Sequence, residues 1–299
     1  MATLYTRQSE NVQKTWLLVG VFLVVVVGIG YVAAQYFQNP TILTIAIIFS
    51  IVMNIAGFWY SDKIALSMAR AVPADEESYK ELHRIVENLS ITAGLPKPSV
   101  YIIPDAAPNA FATGRDKNHA AVAVTQGLLG MMTRTELEGV LAHELSHIGN
   151  RDILLQSVVV VLVGFVSLAA DMLLRSMLWG AGRNSDDDNR GGSILTIIGI
   201  AFLILSPLIA TLIQLAISRK REYLADASGA LLTRYPEGLA SALVKISSYG
   251  APMKSASDAT AHLYISNPFG AKAVRGLHNL FMTHPPAEKR IAILRDMSV

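Results

Sequence analysis

Four long apolar blocks constrain the fold of this chain more strongly than any other feature of its sequence. Residues 16–34, 41–60, 153–170 and 194–218 contain no charged side chain. Each block reaches the roughly 18 to 20 apolar residues that a helix needs to cross a bilayer. The composition agrees, since 52% of the residues are hydrophobic and only 16% are charged. The sequence therefore predicts a mainly α-helical membrane protein with four transmembrane helices.

The first block raises the alternative of a cleaved signal peptide. It ends in Val32-Ala33-Ala34, which resembles the small-residue site at which such peptides are removed. However, its apolar run is too long for a signal peptide, and the second block follows after only residues 35–40. The first block is therefore predicted to be retained as a span.

Lysine and arginine side chains collect on one side of the predicted spans. They lie before the first span, after the second, before the third and after the fourth: Arg7, Lys14, Lys63, Arg70, Arg151, Arg219, Lys220 and Arg221. Because positive residues favour the cytoplasmic side, both termini are predicted to be cytoplasmic. Two hairpins, 1–60 (spans about 16–34 and 41–60) and 153–218 (spans about 153–173 and 194–218), would then alternate with cytoplasmic segments 61–152 and 219–299.

Charge and cysteine content exclude several classes of site. The net charge of +2 is too small to indicate a nucleic-acid partner, and no basic patch is interleaved with aromatic residues. The chain has no cysteine, which excludes disulfides and thiolate metal ligands. The absence of cysteine is also consistent with a domain on the reducing side of a membrane.

The first cytoplasmic segment contains the stretch His143-Glu144-Leu145-Ser146-His147, which matches H-E-x-x-H. Residues four apart share one face of a helix, so His143 and His147 can both direct a ring nitrogen at one Zn²⁺. Glu144 then lies beside the metal. A carboxylate there can take a proton from a water molecule that the metal activates. The stretch therefore predicts hydrolysis of a peptide carbonyl.

The residues around this motif distinguish it from a chance match. Thr135 and Glu138 fit a capping box, and apolar residues recur with helical spacing at Leu137, Val140, Leu141, Leu145 and Ile148. The histidines border this apolar stripe. Two buried imidazoles without a ligand would be costly, whereas a metal ion satisfies both. The context therefore favours a zinc site.

The remainder of segment 61–152 predicts an α+β arrangement. Residues 74–89 have the pattern of an amphipathic helix. Three short β-prone runs follow at 99–103, 109–113 and 120–125, separated by turn residues. They predict a small sheet packed on the helix that carries H-E-x-x-H.

A catalytic zinc site usually has three protein ligands, so two histidines leave one ligand to find. Glu222 is the candidate, because it follows the fourth block directly in Glu222-Tyr223-Leu224-Ala225-Asp226. Asp226 lies one helical turn further on, where it can accept a hydrogen bond from a ligand imidazole. Taken alone, two acidic residues at this spacing usually mark a solvated helix face.

Four motifs give the chain a family resemblance. They are HELSH at 143–147, EYLAD at 222–226, NAFATG at 109–114 and HPPAEKR at 284–290. With the four predicted spans, they resemble the HtpX-type membrane metalloproteases of bacteria. The resemblance implies a zincin-like peptidase domain of the gluzincin type on the cytoplasmic face of the inner membrane. It also implies a role in the quality control of misfolded or damaged membrane proteins.

The resemblance further implies roles for individual residues and one Zn²⁺ per chain. His143, His147 and Glu222 would be the zinc ligands and Glu144 the general base, with Asp226 and Arg290 supporting them. His284 would stabilise the oxyanion. An edge strand would pair with extended substrate and would comprise Asn109, Ala110, Phe111, Ala112, Thr113 and Gly114.

Two alternatives remain open from the sequence. A membrane scaffold or transport component with a structural zinc would close the fourth coordination position with Cys or a third His. An intramembrane protease would carry the metal helix inside an apolar span, whereas Arg151 and Asp152 separate HELSH from the third block.

Overall fold

The computed structural model of the chain describes residues 4–165, 219–257, 259–270 and 285–297. Its helices in these ranges are α1 (Leu4–Tyr36), α2 (Thr41–Trp59), α3 (Ser61–Met68), α4 (Lys80–Ala93), α5 (Gln126–Met131), α6 (Arg134–Gly149), α7 (Asp152–Phe165), α8 (Arg219–Thr233), α9 (Pro236–Ser248) and α10 (Ala287–Arg295). The strands are β1 (Val72–Pro73), β2 (Ser99–Ile103), β3 (Ala110–Gly114) and β4 (Ala120–Thr125).

The first two predicted spans form an antiparallel pair of long apolar helices. Within the described residues, Asn11–Tyr36 and Thr41–Trp59 are the two stretches long and apolar enough to cross a membrane. Their outward side chains, such as Val24 and Ile48, are exposed, as expected for a surface that faces lipid. Helix α1 also extends beyond the predicted span 16–34 at both ends.

The third predicted span begins as helix α7. Helices α6 and α7 meet at an angle of 86° across Asn150 and Arg151. Helix α7 packs on α1, where Leu155, Val159 and Leu162 contact the cluster around Leu18 and Phe22. The remainder of the third span and all of the fourth, 194–218, lie outside the described residues.

The sheet has the order β1-β2-β4-β3. Strand β2 pairs in parallel with β4, whereas β1 and β3 pair antiparallel with their neighbours. The predictions for 99–103 and 120–125 are confirmed, and the run predicted at 109–113 is a strand shifted by one residue. Strand β1 was not predicted, because two residues are too few to show a period. The predicted small sheet beside the HELSH helix is confirmed.

The amphipathic helix predicted at 74–89 exists, but its start was placed wrongly. The backbone N–H of Ala74 donates to Val100 O, so this residue continues the ladder of β1 instead of beginning a helix. Helix α4 starts at Lys80 and ends at Ala93. Gly94 follows with φ of 66°, in the left-handed region that glycine favours, and closes the helix with its N–H.

The capping box of α6 is two residues away from its predicted position. Thr133 and Glu136 form it, not Thr135 and Glu138. Both pairs fit the sequence pattern, but Glu136 is buried against α9 and Glu138 is not. The Glu136 carboxylate accepts hydrogen bonds from Thr133 N at 2.8 Å, Ser241 Oγ at 2.6 Å and Lys245 Nζ at 2.6 Å. These contacts fix the start of the HELSH helix against α9.

Glu136→Ala is expected to destabilise the protein much more than Glu138→Ala. The first change removes the carboxylate half of the capping box and the acceptor of the hydrogen bonds from Ser241 and Lys245, which corresponds to about 2 kcal/mol. The second removes only the partly exposed pair with Arg134, worth roughly 0.3 to 0.5 kcal/mol. At about 2 to 4 °C per kcal/mol, thermal melting in detergent separates the two variants. Equal melting temperatures would contradict the observed cap.

The contribution of Glu136 is also expected to depend on pH. Burial raises the pKa of Glu136, but hydrogen bonds from Lys245, Ser241 and Thr133 outweigh burial and lower the pKa to about 2. Because the folded pKa is lowered, the stabilisation is present above the ordinary pKa of 4.5 and is lost as pH falls towards 2. The difference in melting temperature between wild type and Glu136→Ala should therefore shrink below pH 4.

Candidate metal centre

Three side chains from two helices converge at one buried point. His143 and His147 lie one turn apart on α6, and their Nε2 atoms are 3.2 Å from each other. Glu222 on α8 places its carboxylate oxygens 3.8 Å from His143 Nε2 and 3.6 Å from His147 Nε2. One potential ligand atom from each residue therefore lies within 4.8 Å of the other two. All three side chains are buried.

Close packing of α8 on α6 makes this convergence possible. Gly229 on α8 faces the backbone of the HELSH helix, and a Cβ at this position would lie 3.0 Å from His143 N. A side chain there would push the two helices apart. The glycine therefore allows Glu222, two turns earlier on α8, to approach the histidines.

Each imidazole has a carboxylate at its other nitrogen. His143 Nδ1 lies 2.9 Å from Asp226 Oδ1, and His147 Nδ1 lies 3.0 Å from Asp152 Oδ2. A carboxylate at Nδ1 holds the proton there, so that the Nε2 lone pair is directed at the common point. Both Nε2 atoms are therefore the ones that face the point at which a metal would bind.

Arg290 on α10 fixes one of these carboxylates. Its Nε and Nη2 donate to the two oxygens of Asp226 at 2.8 and 2.6 Å, and its Nη1 donates to Ile265 O at 3.0 Å. Arg290 is 2% exposed. The structure thus brings Asp226 and Arg290 to the site, as the motifs implied.

The electrostatics of the cluster favour a cation. Burial lowers the pKa of His143 to about 4, assisted by the charge of Arg290, so this ring is neutral. Burial also lowers the pKa of His147, but Asp152 and Glu222 outweigh it and raise that pKa to about 9. The position next to His147 therefore attracts positive charge. Two imidazoles and a carboxylate are a donor set that suits zinc, and the residues fit that metal.

Glu144 lies beside the three converging groups and is almost fully buried. Burial raises the pKa of Glu144 to about 7, with a further contribution from the negative charge of Glu222 and opposition from His147. Among the described residues, its Oε1 has no hydrogen-bond partner. A buried carboxylate with a pKa near neutrality and a free oxygen is equipped to accept a proton.

Strand β3 lies at the edge of the sheet, next to α6. One side of β3 pairs with β4. On the opposite side of β3, the backbone N–H of Ala112 interacts with the Glu144 carboxylate. Neighbouring positions of this edge contact other parts of the chain. Ala110 O accepts from Ile265 N at 3.0 Å, and Gly114 N donates to Ser157 Oγ at 3.1 Å. Ala112 is therefore the point of this edge that lies against Glu144, and it is itself buried.

The other residues of the implied substrate strand are also held by the protein. Asn109 Nδ2 donates to Ser266 O at 3.0 Å, and its Oδ1 accepts from Ser266 N at 3.3 Å. Phe111 packs edge-to-face on Tyr264, and Thr113 Oγ1 lies 2.7 Å from Ser157 Oγ. His284, the implied oxyanion stabiliser, lies outside the described residues.

Sequence reasoning missed the residues that orient His147. Asp152 and Arg221 stand at the ends of apolar blocks, and Asn11 stands shortly before the first block. In the sequence, each of them is a polar residue near the end of an apolar block. Polar residues are also expected there at an ordinary membrane interface, so the pattern does not indicate a role at the metal site. The partners of Asp152 became visible only once α1, α6 and α8 were placed together.

The chain is similar in sequence to known peptidases. Residues 76–298 match the model described as Peptidase family M48. A "Protease HtpX homolog" of Thermoanaerobacter pseudethanolicus is 52% identical over 300 residues, which is 99% of each chain. Another from Pyrococcus furiosus is 47% identical and covers 96% of both chains. The crystal structure of S. mikatae Ste24p aligns with 95% of this chain and 67% of its own, at 19% identity and a TM-score of 0.49.

The family match extends over both parts of the chain that supply the converging side chains. It includes His143, Glu144 and His147, which precede the third and fourth apolar blocks of the sequence, and Glu222, which follows them. The relatives cover the two apolar helices α1 and α2 as well. The chain therefore belongs to peptidase family M48 and is a membrane-bound zinc metallopeptidase.

Proposed function

We propose that the protein is an endopeptidase that cleaves misfolded or damaged membrane proteins at the cytoplasmic face of the bacterial inner membrane. In this proposal His143, His147 and Glu222 hold one Zn²⁺ and Glu144 is the general base. One observation carries the assignment. Within the part of the chain that the structure describes, the buried Glu144 carboxylate has an oxygen without a hydrogen-bond partner and stands beside three converging metal-ligand atoms. A purely structural site does not need this arrangement.

The residues of the chain divide the chemistry between them. Zinc at this position supplies a Lewis acid that lowers the pKa of water and polarises the peptide carbonyl. Glu144 takes the proton of the attacking water and passes it to the leaving amine. Asp226 and Asp152 keep the imidazoles in the ligand tautomer, and Arg290 balances the charge of Asp226.

His284 is proposed to stabilise the oxyanion, so His284→Ala should lower kcat and leave zinc content unchanged.

Substrate is proposed to bind as an extended strand along β3. The position of the Ala112 N–H supports this, because it lies on the side of β3 away from β4 and against Glu144, so a peptide paired at that point would carry its backbone past Glu144. Peptides with a single methylated amide are the test. Methylation of the amide paired with β3 should raise KM sharply, whereas methylation elsewhere should not. A uniform response to methylation along the peptide would exclude strand pairing.

Removal of zinc is expected to abolish casein hydrolysis by the purified protein. One equivalent of zinc should restore it, because the three ligands are preformed. The fraction unfolded should be followed by circular dichroism in the same samples. A scaffold with structural zinc predicts a different result, since it would unfold without metal and hydrolyse nothing when metal is restored.

The proposed membrane orientation can be tested with single cysteines, because the chain contains none. Gln35 is exposed at the end of α1, and Asn88 is exposed on α4. In intact bacterial cells, a membrane-impermeant maleimide should label Gln35→Cys. It should label Asn88→Cys only after the cells are permeabilised. The reverse pattern would place the peptidase domain outside the cytoplasm.

A further inference from the structure

Asn11, on the first membrane helix, contacts the polar groups that surround the metal site. Although it lies on α1, it is only 5% exposed. Its Nδ2 donates to Asp152 Oδ1 at 2.7 Å and to Asn150 O at 3.3 Å, while its Oδ1 accepts from Arg221 Nη1 at 3.3 Å. One amide thus connects α1 with the start of α7 and with α8.

The contact is placed at the bend that shapes the site. Asp152 follows His147 by five positions, so on a straight helix it would not face the ring. It does so because the chain turns by 86° between α6 and α7. Arg151, inside this turn, has a φ of 58°, which a non-glycine residue adopts only at some cost. Asn11 bonds to the residue before Arg151 and to the residue after it.

The two oxygens of the Asp152 carboxylate contact different partners. Its Oδ2 lies 3.0 Å from His147 Nδ1, and Arg221 Nε lies 3.5 Å from Oδ1. Among these described contacts to Oδ1, the one from Asn11 is the shorter, at 2.7 Å against 3.5 Å from Arg221. Without it, the carboxylate could rotate towards Arg221 and away from the imidazole.

We infer that Asn11 is a positioning residue of the metal site, which acts on His147 through Asp152. The inference rests on the proposed role of His147 as a ligand. It means that the first transmembrane helix contributes to metal binding from a point 132 positions before the first ligand in the sequence, His143. Loss of a hydrogen bond that orients a ligand imidazole typically weakens metal affinity by about 10 to 100-fold.

The test compares Asn11→Leu with Gln13→Leu in the full-length Glu144→Gln protein in detergent. Both changes replace an amide by a similar apolar side chain on α1, but Gln13 is exposed. Zinc affinity is measured by competition with a chelating dye, and ligand geometry by the visible spectrum of bound Co²⁺. Asn11→Leu should weaken zinc about 10-fold and alter the Co²⁺ spectrum, whereas Gln13→Leu should change neither. If Asn11→Leu does not fold, Asn11→Ala removes the same amide without added bulk.

Two outcomes would overturn the inference, and they are distinguishable. A lower melting temperature of the metal-free protein, with zinc affinity and Co²⁺ spectrum as in the parent, would mean that Asn11 only packs. Glu222→Ala is measured alongside as a reference. If that variant binds zinc as tightly as the parent, the proposed ligand set fails and the inference fails with it. If it loses zinc while Asn11→Leu does not, only the inference fails.

Discussion

Glu144→Gln is expected to keep its zinc and to lose peptide hydrolysis by at least about 10² to 10⁴-fold. The substitution preserves the size of a fully buried side chain and removes its ability to accept a proton. None of the converging ligand atoms belongs to Glu144, so metal content should be unchanged. Hydrolysis of casein and zinc per chain, measured on the same purified sample, check both parts of the expectation.

Glu138→Gln is the matched control for this experiment. Glu138 lies on the same helix and pairs with Arg134 at the partly exposed surface. The Glu138→Gln variant should therefore hydrolyse casein at the wild-type level. If proteolysis includes self-cleavage, Glu144→Gln should also be recovered in a more intact form. Wild-type hydrolysis by Glu144→Gln would remove the general base from the proposed mechanism.

Glu222→Ala is expected to lose zinc almost completely, whereas Asp226→Ala should weaken binding by about 10 to 100-fold. The two acidic residues lie one turn apart on α8, but only Glu222 reaches the point where the histidine Nε2 atoms meet. Asp226 instead holds the opposite nitrogen of His143. Metal analysis after dialysis against a weak chelator should separate the variants.

Glu237→Ala provides the control for the acidic variants. Glu237 forms an exposed pair with Arg295 on α10, so its removal changes charge without touching the site. Full zinc occupancy in Glu222→Ala would show that Glu222 is not the third ligand. Equal losses in Glu222→Ala and Asp226→Ala would mean that both carboxylates bind the metal or that both variants fail to fold, which a melting curve resolves.

The parts of the fold that were predictable from the sequence are those with a strong local pattern. The apolar blocks indicated α1 and α2 because a span needs a long run of one kind of residue. The predicted limits of strands β2 and β4 agree with the structure, because turn residues flank both runs in the sequence. Position-specific features were harder. Two Thr-x-x-Glu pairs overlap at the start of α6, and only burial against α9 decides that Glu136 forms the cap.

The candidate site was predictable to the extent that its residues share a helix. His143, Glu144 and His147 follow from a four-residue spacing, and Glu222 and Asp226 from another. Asp152 did not follow, because its contact with His147 depends on an 86° bend that no periodicity encodes. Asn11 did not follow either, since it is 139 and 141 positions away from its hydrogen-bond partners Asn150 and Asp152.

The covering of β3 is a further point that the motif alone did not reveal. NAFATG implied a strand whose edge is open to substrate. In the structure, the Asn109 side chain donates a hydrogen bond to the backbone carbonyl of Ser266. The backbone N–H of Ile265 donates to the carbonyl of Ala110. Arg290 also donates to Ile265 O, so the segment beside β3 and the carboxylate behind His143 share one guanidinium. Such contacts between distant segments arise from packing and have no local sequence signature.

X-ray absorption at the zinc edge of the full-length Glu144→Gln protein tests the central claim most directly, because imidazole ligands give a countable scattering pattern. The chain has seven histidines and no cysteine, so the alternative of a closed structural site would have to recruit further imidazoles. The proposed site predicts one zinc per chain with two imidazoles and an oxygen-rich remainder, and a loss of that zinc in Glu222→Ala. Three or more imidazoles around the zinc would contradict it.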